Sequence, residues 1–363
     1  MRFRCERDAL KDALQIASRA VKSQGQPALT GVRLALTGDR LQIRGSDVEL
    51  TIETGVEVAG DADGAVLLKA KLLTDIVTAM EPGAITIEVT DDVAVIEGGR
   101  SHFELHLLPL DAFPQVNVAT GLEVQLDAST LETSLREVLR AAATDENRPI
   151  LTGVLFTAVD DGLRLVTTDS YRLALSDVEG AASLGGDQGI VVPKRALDEV
   201  VRLLADTDKL QVTLGERDAT FIIGATEITT RLIEGSFPNY EMLLPSGYPN
   251  RVTVDRLALI DALKRAKLLV KNASTAVKVK MSPDGLELSV DGFEEGSATE
   301  VIDATYEGTE LVIGFNPDYL SSGLEAVDSD EAVIETVDAA KVARIGAPGD
   351  DSFLYLLMPH RIG

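Results

Sequence analysis

The chain has 363 residues, 45% of them hydrophobic, which is enough for two or three domains with buried cores and excludes a disordered chain. Its formal net charge of −25 argues against a general attraction to nucleic acid, because phosphate binding depends on lysine and arginine, so the distribution of charge must decide that question. Tryptophan is absent and aromatic residues make up 4%, so a base-stacking groove for single strands is not expected.

The cellular compartment is predicted from targeting signals and cysteine usage. No apolar run approaches the roughly 18–20 residues that a membrane-spanning helix needs. Charges interrupt MRFRCERDALKDALQ, where a signal peptide requires an apolar stretch. The single cysteine, Cys5, excludes an internal disulfide framework and fits a reducing compartment. We therefore expect a cytoplasmic protein without a membrane partner.

The predicted elements, taken in chain order, form a unit that occurs three times. Each unit begins with a short strand, an amphipathic helix and two strands around a glycine-containing turn, starting at FRCERDALK, VQLDASTLE and VTVDRLALI. The period is about 120 residues by direct counting along the sequence. The residues that align between the units are Leu10, Leu131 and Leu259, then Leu14, Leu135 and Leu263, then Asp47, Asp169 and Asp291.

The second half of each unit repeats as well. It is a β run that leads into a helix (VLLKAKLLTDIVTAM, IVVPKRALDEVVRLL and VIGFNPDYLSSGLEAV), followed by strands in which apolar and polar residues alternate. Six helices are predicted, near 7–22, 69–80, 128–142, 194–205, 255–270 and 316–326. One apolar face of each helix should pack on antiparallel strands, which gives two-layer α+β domains. Three such domains, 1–122, 123–247 and 248–363, would form a curved array, and head-to-tail contacts between like units close into a ring where the rotation allows it.

Positive charge is concentrated on five of the six predicted helices. In the fifth, Lys264, Lys267 and Lys271 fall at i, i+3 and i+7 on one face, whereas acidic residues gather in turns such as Asp91-Asp92. Basic helices with an acidic periphery attract DNA to one surface and repel it from the rest. The alternative is an ordinary set of solvated helix faces on a repeat scaffold that never touches DNA. The residues predicted to face DNA are Arg19, Lys22, Lys71, Arg136, Arg140, Arg148, Lys194, Arg195, Arg202, Lys264, Lys267 and Lys271.

Catalytic and metal-binding patterns are not found in the sequence, which contains no Walker loop, GxGxxG, GxSxG or HExxH motif. His102 and His106 lie on a predicted strand about 13 Å apart, too far to share a metal ion. Cys5 has no histidine nearby in sequence, and the doubled aspartates suit hairpin turns. We predict no catalytic residue, no metal and no cofactor. The rival interpretation, an enzyme with an unrecognised site, requires a polar cleft with shifted pKa values.

Three segments carry a resemblance to a known family: TTDSYRLA (167–174), FPNYEMLLP (237–245) and LLMPHRIG (356–363). With the three-unit organisation, they resemble the bacterial DNA polymerase III β subunit, or β sliding clamp, over the whole chain. The resemblance implies three tandem sliding-clamp domains that form half of a closed ring, with helices inside and sheets outside. It implies a homodimer that encircles double-stranded DNA without sequence specificity and has no catalytic site. A eukaryal-type clamp, with two domains per protomer, is disfavoured by the repeat count.

The resemblance also implies a pocket between the second and third domains that binds a short peptide. The peptides would belong to the DNA polymerase III catalytic subunit, the clamp loader, repair proteins and other proteins with a clamp-binding motif. An apolar groove with a few fixed polar groups suits leucine or phenylalanine anchors. Ser170, Tyr171, Met242 and His360 differ from residues common in the family, so we expect a reshaped pocket rim. The pocket residues carried over are Leu151, Thr168, Tyr171, Arg172, Leu173, Pro238, Met242, Leu243, Asn316, Tyr319, Val342, Leu357, Met358, Pro359, His360 and Arg361.

Overall fold

The structure, a computed structural model, describes the chain except for residues 116–118, 161, 182–183, 185–188, 206, 245–246, 271–274, 293–295 and 363. The chain forms two compact units, each with its own sheets. The first unit consists of Met1–Ser129 and Arg195–Leu232, and the second of Thr130–Lys194 and Ile233–Gly363. One residue predicted to face DNA, Lys271, lies outside the described residues.

All six predicted helices are present in the part of the chain that the structure describes, and each begins within one residue of its predicted start. They are α1 (Arg7–Ser18), α2 (Ala70–Ala79), α3 (Ala128–Val138), α4 (Lys194–Leu204), α5 (Arg256–Ala266) and α6 (Pro317–Ala326). Three of them, α1, α3 and α5, end about four residues early, and α5 passes into a 3-10 turn at Lys267–Leu269. Of the three lysines predicted to share one helical face, Lys264 lies on α5 and Lys267 begins the 3-10 turn.

Antiparallel pairing joins all the described strands, and the helices separate them into groups along the chain. In order they are β1 (Arg2–Glu6), β2 (Gly31–Thr37), β3 (Arg40–Ser46), β4 (Leu50–Glu57), β5 (Ala59–Ala62), β6 (Gly64–Lys69), β7 (Ala84–Thr90), β8 (Val93–Gly98), β9 (Ser101–His106), β10 (Leu122–Asp127), β11 (Gly153–Val159), β12 (Gly162–Thr168), β13 (Arg172–Glu179), β14 (Ile190–Pro193), β15 (Lys209–Leu214), β16 (Asp218–Ile223), β17 (Thr226–Arg231), β18 (Asn250–Asp255), β19 (Val277–Ser282), β20 (Gly285–Asp291), β21 (Ser297–Ile302), β22 (Ala304–Glu307), β23 (Leu311–Phe315), β24 (Glu331–Thr336), β25 (Ala343–Gly346) and β26 (Phe353–Leu357). The predicted α+β class is confirmed.

The first unit contains a five-stranded sheet, ordered β5-β1-β7-β8-β9, and an eight-stranded sheet, ordered β10-β15-β16-β17-β4-β3-β2-β6. Alternation sets the strand faces: in β1 the side chains of Phe3 and Cys5 are buried and their neighbours are exposed. Leu10 and Leu14 of α1 and Leu73 of α2 share one apolar core with both sheets. Burial raises the pKa of the Cys5 thiol to about 12, so that thiol stays protonated and unreactive.

The second unit contains a nine-stranded sheet, ordered β14-β11-β12-β13-β26-β25-β24-β18-β22, and a four-stranded sheet, ordered β21-β20-β19-β23. The pairing of β13 with β26 sets Arg172 opposite Leu357 and Leu173 opposite Leu356. This pairing brings the end of the chain beside the turn between β12 and β13. No helix in the described ranges is long and apolar enough to cross a membrane.

A half-buried carboxyl on α3 makes the stability of the second unit depend on pH. Glu137 accepts a hydrogen bond of 2.6 Å from the Ser176 hydroxyl. Burial raises the pKa of Glu137 to about 7; the hydrogen bond opposes this shift, and the charges of Asp350 and Asp328 add to it. Since the folded-state pKa lies above the ordinary value of 4.5, the stabilisation is complete below that value and is lost as the pH rises through about 7.

Glu137→Gln, which mimics the protonated form, is expected to be more stable than the wild type at pH 8, by about 1–2 kcal/mol. The difference should shrink near pH 5, where the folded wild type carries the proton. Thermal unfolding at the two pH values measures both differences. A stability difference that is the same at both would contradict this account of Glu137.

Candidate functional site

A tight turn at residues 168–172, here called the pocket turn, joins β12 to β13. The Asp169 carboxylate accepts hydrogen bonds from the backbone N–H groups of Tyr171 (2.9 Å) and Arg172 (3.0 Å). The Thr168 hydroxyl accepts from the N–H of Ser170 (3.1 Å) and donates to the carbonyl of Arg172 (2.7 Å). Ser170 has a φ of 80°, a left-handed conformation that costs a residue with a side chain about 1 kcal/mol or more. The turn is therefore fixed by its own side chains, and it holds Tyr171 in solvent, 61% exposed.

Arg172 connects the pocket turn to α6. Its Nε donates to the second oxygen of Asp169 at 2.9 Å, and both side chains are largely buried, 13% and 12% exposed. Its guanidinium carbon lies 4.4 Å from the ring centroid of Tyr319, within the range of a cation–π contact. The ring of Tyr171 stacks on Tyr319 with 6.4 Å between centroids and 29° between planes. Two aromatic rings and one paired cation thus form a compact surface cluster.

The position of Tyr319 is fixed by backbone capping and by a buried hydroxyl. The Asn316 side chain caps α6 by accepting from the N–H groups of Asp318 (2.9 Å) and Tyr319 (3.2 Å). The Tyr355 hydroxyl donates to the Tyr319 carbonyl at 2.9 Å. Burial raises the pKa of Tyr355 well above its ordinary value, which keeps that hydroxyl protonated as a donor.

The C-terminal segment lies along the pocket turn. The N–H of Met358 donates to the Tyr171 carbonyl at 2.9 Å, and the N–H of His360 donates to the Gly314 carbonyl at 2.7 Å. Met358 remains 49% exposed, whereas Leu357 is fully buried. Leu173 and Val342 belong to one apolar cluster beneath this segment.

The remaining residues predicted for the pocket differ in exposure. Met242 and Leu243 lie in a 3-10 turn at Glu241–Leu243 and are 81% and 50% exposed. Leu151 is buried, and its carbonyl accepts from the N–H of Ala143 at 2.9 Å. Pro238 and Arg361 are exposed, and Pro359 is half-buried. Hydrogen bonds, ring contacts and strand pairing among the described residues join Thr168, Tyr171, Arg172, Tyr319, Leu357 and Met358 directly.

Sequence reasoning missed two residues that organise this cluster, Asp169 and Tyr355. Asp169 was recognised as an aligned aspartate but was given no role. The signal was an aspartate directly after a predicted strand. Such an aspartate often forms an Asx turn, in which its side chain accepts hydrogen bonds from the N–H groups two and three residues further along the chain. The Arg148 guanidinium, predicted to face DNA, donates to the Ser170 hydroxyl at 2.8 Å and to the Asp169 carbonyl at 3.4 Å. Arg148 therefore contacts the pocket turn.

Most of the basic residues predicted to face DNA are partly exposed and paired with carboxylates. An exposed pair such as Lys71 with Asp75 contributes about 0–1 kcal/mol, so a phosphate can replace that carboxylate at little cost, whereas Asp47 and Glu199 are themselves buried, 4% and 11% exposed. Lys22 is exposed, and Lys194 is half-buried. The pairs are Arg19 with Glu199, Lys71 with Asp75, Arg136 with Glu132, Arg140 with Glu325, Arg148 with Asp145, Arg195 with Asp47, Arg202 with Glu199, Lys264 with Asp261 and Lys267 with Asp318.

Comparison with known proteins covers the chain from end to end. Residues 1–117 match the N-terminal domain of the DNA polymerase III beta subunit, 125–239 the central domain and 241–361 the C-terminal domain. The chain is 32% identical to the beta sliding clamp of Synechococcus elongatus, covering 99% of each chain, and 30% identical to that of Pseudomonas putida, covering 100% of each. The solved structure of the Bartonella birtlesii sliding clamp bound to griselimycin matches with a TM-score of 0.95 and 32% identity over 100% of each chain.

Fold and comparisons together define a processivity factor of DNA replication, a class of accessory subunit without catalytic activity. The chain belongs to the DNA polymerase III beta subunit family, the bacterial β sliding clamps. The resemblance read from the sequence is thereby confirmed. The function is that of a DNA sliding clamp, and the chain is not an enzyme.

Proposed function

We propose that two copies of this chain form a closed ring that encircles double-stranded DNA and slides along it without sequence specificity. The observation that carries the proposal is that three family segments follow one another in tandem and fill nearly the whole chain. Each protomer would contribute three sliding-clamp domains, 1–122, 123–247 and 248–363, with helices towards the hole and sheets outside. Such a ring acts in the cytoplasm and is retained on DNA by topology, so its contacts with DNA need not be tight.

The DNA-facing surface in this proposal consists of the partly exposed basic residues on the helices and on the segments that follow them. Lys71 and Lys264 are the most exposed of the paired ones, at 83% and 65%. Contacts from such side chains to phosphate carry no base information. Their carboxylate partners lower the net positive potential, which suits transient contacts that form and break as the ring moves. The residues proposed are those predicted from the sequence.

The cluster around Tyr171, Arg172 and Tyr319 supports the proposed peptide pocket. Its rim offers exposed apolar groups, Met358 and the ring of Tyr171, around one buried, paired cation. This combination suits a short peptide with a leucine or phenylalanine anchor, because apolar contact supplies affinity and fixed polar groups supply orientation. The proposed partners are the polymerase III catalytic subunit, the clamp loader, repair proteins and other proteins with a clamp-binding motif.

Two sheet edges support the proposed head-to-tail homodimer. Among the described strands, β9 lies at the edge of the five-stranded sheet and β21 at the edge of the four-stranded sheet, so each has backbone groups that no other described strand pairs. Leu268, in the 3-10 turn after α5, is 83% exposed; α5 packs on β21, where Val301 is 73% exposed, and on β9 Phe103 is 37% exposed. Exposed apolar side chains beside an unpaired edge mark a site of strand addition. We propose that β9 of one protomer pairs with β21 of its partner.

Leu268→Glu is expected to convert the dimer to monomers at micromolar concentration, because a carboxylate would be buried without a partner in the interface. Light scattering coupled to gel filtration measures the mass. Met242→Glu is the matched control: Met242 is equally exposed but lies in the pocket region, and its variant should keep twice the mass of one chain. A Leu268→Glu variant that remains dimeric would refute this interface.

A further inference from the structure

Two arginines of the first unit share one buried carboxylate. Arg19 directly follows α1. Arg195, Glu199 and Arg202 lie on α4 at i, i+4 and i+7, which is one face of that helix. The Glu199 carboxylate accepts from Nη1 of Arg202 through Oε1 (2.7 Å) and from Nη1 of Arg19 through Oε2 (3.3 Å). Glu199 therefore bridges a guanidinium on α4 and a guanidinium at the end of α1.

A third arginine is held beside these two by the turn between β3 and β4. One oxygen of Asp47 accepts from Nη1 of Arg195, and the other accepts from the N–H groups of Glu49 (3.1 Å) and Leu50 (2.8 Å). Nη2 of Arg195 also donates to the Arg19 carbonyl at 3.4 Å. Arg19, Arg195 and Arg202 thus form one connected group, here called the arginine cluster.

The carboxylates of this network are buried and fully occupied, whereas its cations reach solvent. Glu199 and Asp47 are 11% and 4% exposed, and both oxygens of each accept hydrogen bonds. The side chains of Arg19, Arg195 and Arg202 are 35%, 50% and 58% exposed. Three cations and two carboxylates leave a net charge of +1 on the network, in a chain whose formal net charge is −25. An anion that approaches this surface therefore meets guanidinium groups before it meets carboxylates.

The arginine cluster can bond an anion without giving up its carboxylates. Among the described residues, Arg19 and Arg202 each use Nη1 for Glu199, so Nη2 of each remains a donor for a further acceptor. A phosphodiester offers two charged oxygens, which suit the parallel N–H groups of a guanidinium. Because Glu199 holds both guanidinium groups in place beforehand, less side-chain entropy is lost when the anion binds.

The equivalent place on α2 has a different arrangement. Aligning VLLKAKLLTDIVTAM with IVVPKRALDEVVRLL sets Asp75 at the position of Glu199 and Lys71 at that of Arg195. The Lys71–Asp75 pair is 83% and 59% exposed, with 2.6 Å between Nζ and the carboxylate oxygen. Asp75 is therefore an exposed carboxylate with a lysine partner, whereas Glu199 is a buried bridge between two arginines. Asp75 provides the matched control.

We propose that the arginine cluster binds a phosphodiester of duplex DNA, and that Glu199 is a positioning residue that aims Arg19 and Arg202 at it. The inference rests on the proposed DNA-facing surface, and it names the place on that surface where a phosphate adds to an ion-pair network instead of displacing a carboxylate. The alternative is a set of ion pairs that serves solely to hold the end of α1 against α4.

The test uses the full-length protein and a short labelled DNA duplex with free ends, with binding followed by fluorescence anisotropy as the salt concentration is raised. The slope of log K against log salt counts the phosphate contacts. Arg19→Gln and Arg202→Gln should each reduce the size of this slope by about 1. Glu199→Gln should weaken binding about fivefold at low salt, although it removes a negative charge, because the two guanidinium groups lose their common anchor.

Asp75→Asn is the control, and it should bind the duplex at least as tightly as the wild type, since it removes an exposed negative charge and no buried bridge. Glu199→Gln that also binds as tightly as the wild type, or more tightly, overturns the positioning role. Slopes that Arg19→Gln and Arg202→Gln leave unchanged overturn the phosphate site. Because both arginines are partly exposed, these two variants decide the matter even where Glu199→Gln fails to fold.

The proposed ring is tested separately, by retention of loaded protein on circular DNA at high salt. Salt screens the phosphate contacts, so Glu199→Gln should be retained there as well as the wild type. Loss of the wild type from closed circles would overturn the ring and leave the salt slopes to judge the arginine cluster. Loss of Glu199→Gln alone would show that Glu199 holds the ring together, and would overturn its role in positioning.

Discussion

Replacing Met358 and Pro359 together with alanine is expected to weaken binding of a Leu/Phe-containing clamp-binding peptide about a hundredfold. Both side chains offer apolar surface at the rim, and each buried apolar contact of this size contributes about 1–1.5 kcal/mol. The fold of the segment should survive, because the bond from the Met358 N–H to the Tyr171 carbonyl involves the backbone only. Fluorescence anisotropy with a labelled peptide gives the Kd.

The control for this double variant is Leu72→Ala. Leu72 lies on α2 in the first unit and is 44% exposed, close to the exposure of Met358. Its loss should leave both peptide affinity and the mass in solution unchanged. If the double variant binds the peptide within threefold of the wild type, then the pocket has been placed at the wrong surface.

Asp169→Ala is expected to lower the free energy of unfolding of the second unit by about 3–5 kcal/mol, the usual effect of breaking a buried ion pair. The substitution leaves the guanidinium of Arg172, 13% exposed, without its carboxylate. It also removes the acceptor for two backbone N–H groups of the pocket turn. Chemical denaturation followed by tyrosine fluorescence is the measurement, because all six tyrosines belong to the second unit.

Asp47→Ala is the matched control for burial, since Asp47 accepts from the N–H groups of Glu49 (3.1 Å) and Leu50 (2.8 Å) in the equivalent turn between β3 and β4. The cation that it leaves behind, Arg195, is 50% exposed and can be solvated. Denaturation followed by circular dichroism should therefore give a loss at least about 1 kcal/mol smaller than that of Asp169→Ala. Equal losses would show that the turn bonds, and not the buried ion pair, dominate the effect.

The sequence predicted where the helices begin better than where they end. Starts depend on local signals, and α6 illustrates this: Asn316 caps it and Pro317 follows. The ends depend on packing. After α3, Leu139 and Ala141 stay buried while the backbone tightens into a 3-10 turn. Because the apolar spacing continues past the last α-helical residue, the sequence predicted too late an end for this helix.

The candidate site could be predicted only in part, because its contacts join distant parts of the chain. The motifs around Arg172 and Met358 were visible, but the hydrogen bond from Tyr355 to the Tyr319 carbonyl depends on strand pairing that no local pattern encodes. Ion pairs, too, can be predicted from the sequence only where the two partners are close along the chain. The pair of Lys71 with Asp75 follows from helical spacing, whereas Glu325 reaches Arg140 through tertiary structure.

The measurement that tests the central claim most directly compares clamp retention on circular and linear DNA at high salt. Salt screens the phosphate contacts of the basic helices, so only topological linkage can then hold the protein. The account predicts that loaded clamp stays on a closed circle in 0.5–1 M salt, an approximate range in which direct contacts are strongly screened, and leaves within minutes once the circle is cut. Equal loss from the circular and the linear molecules would contradict a ring that encircles DNA.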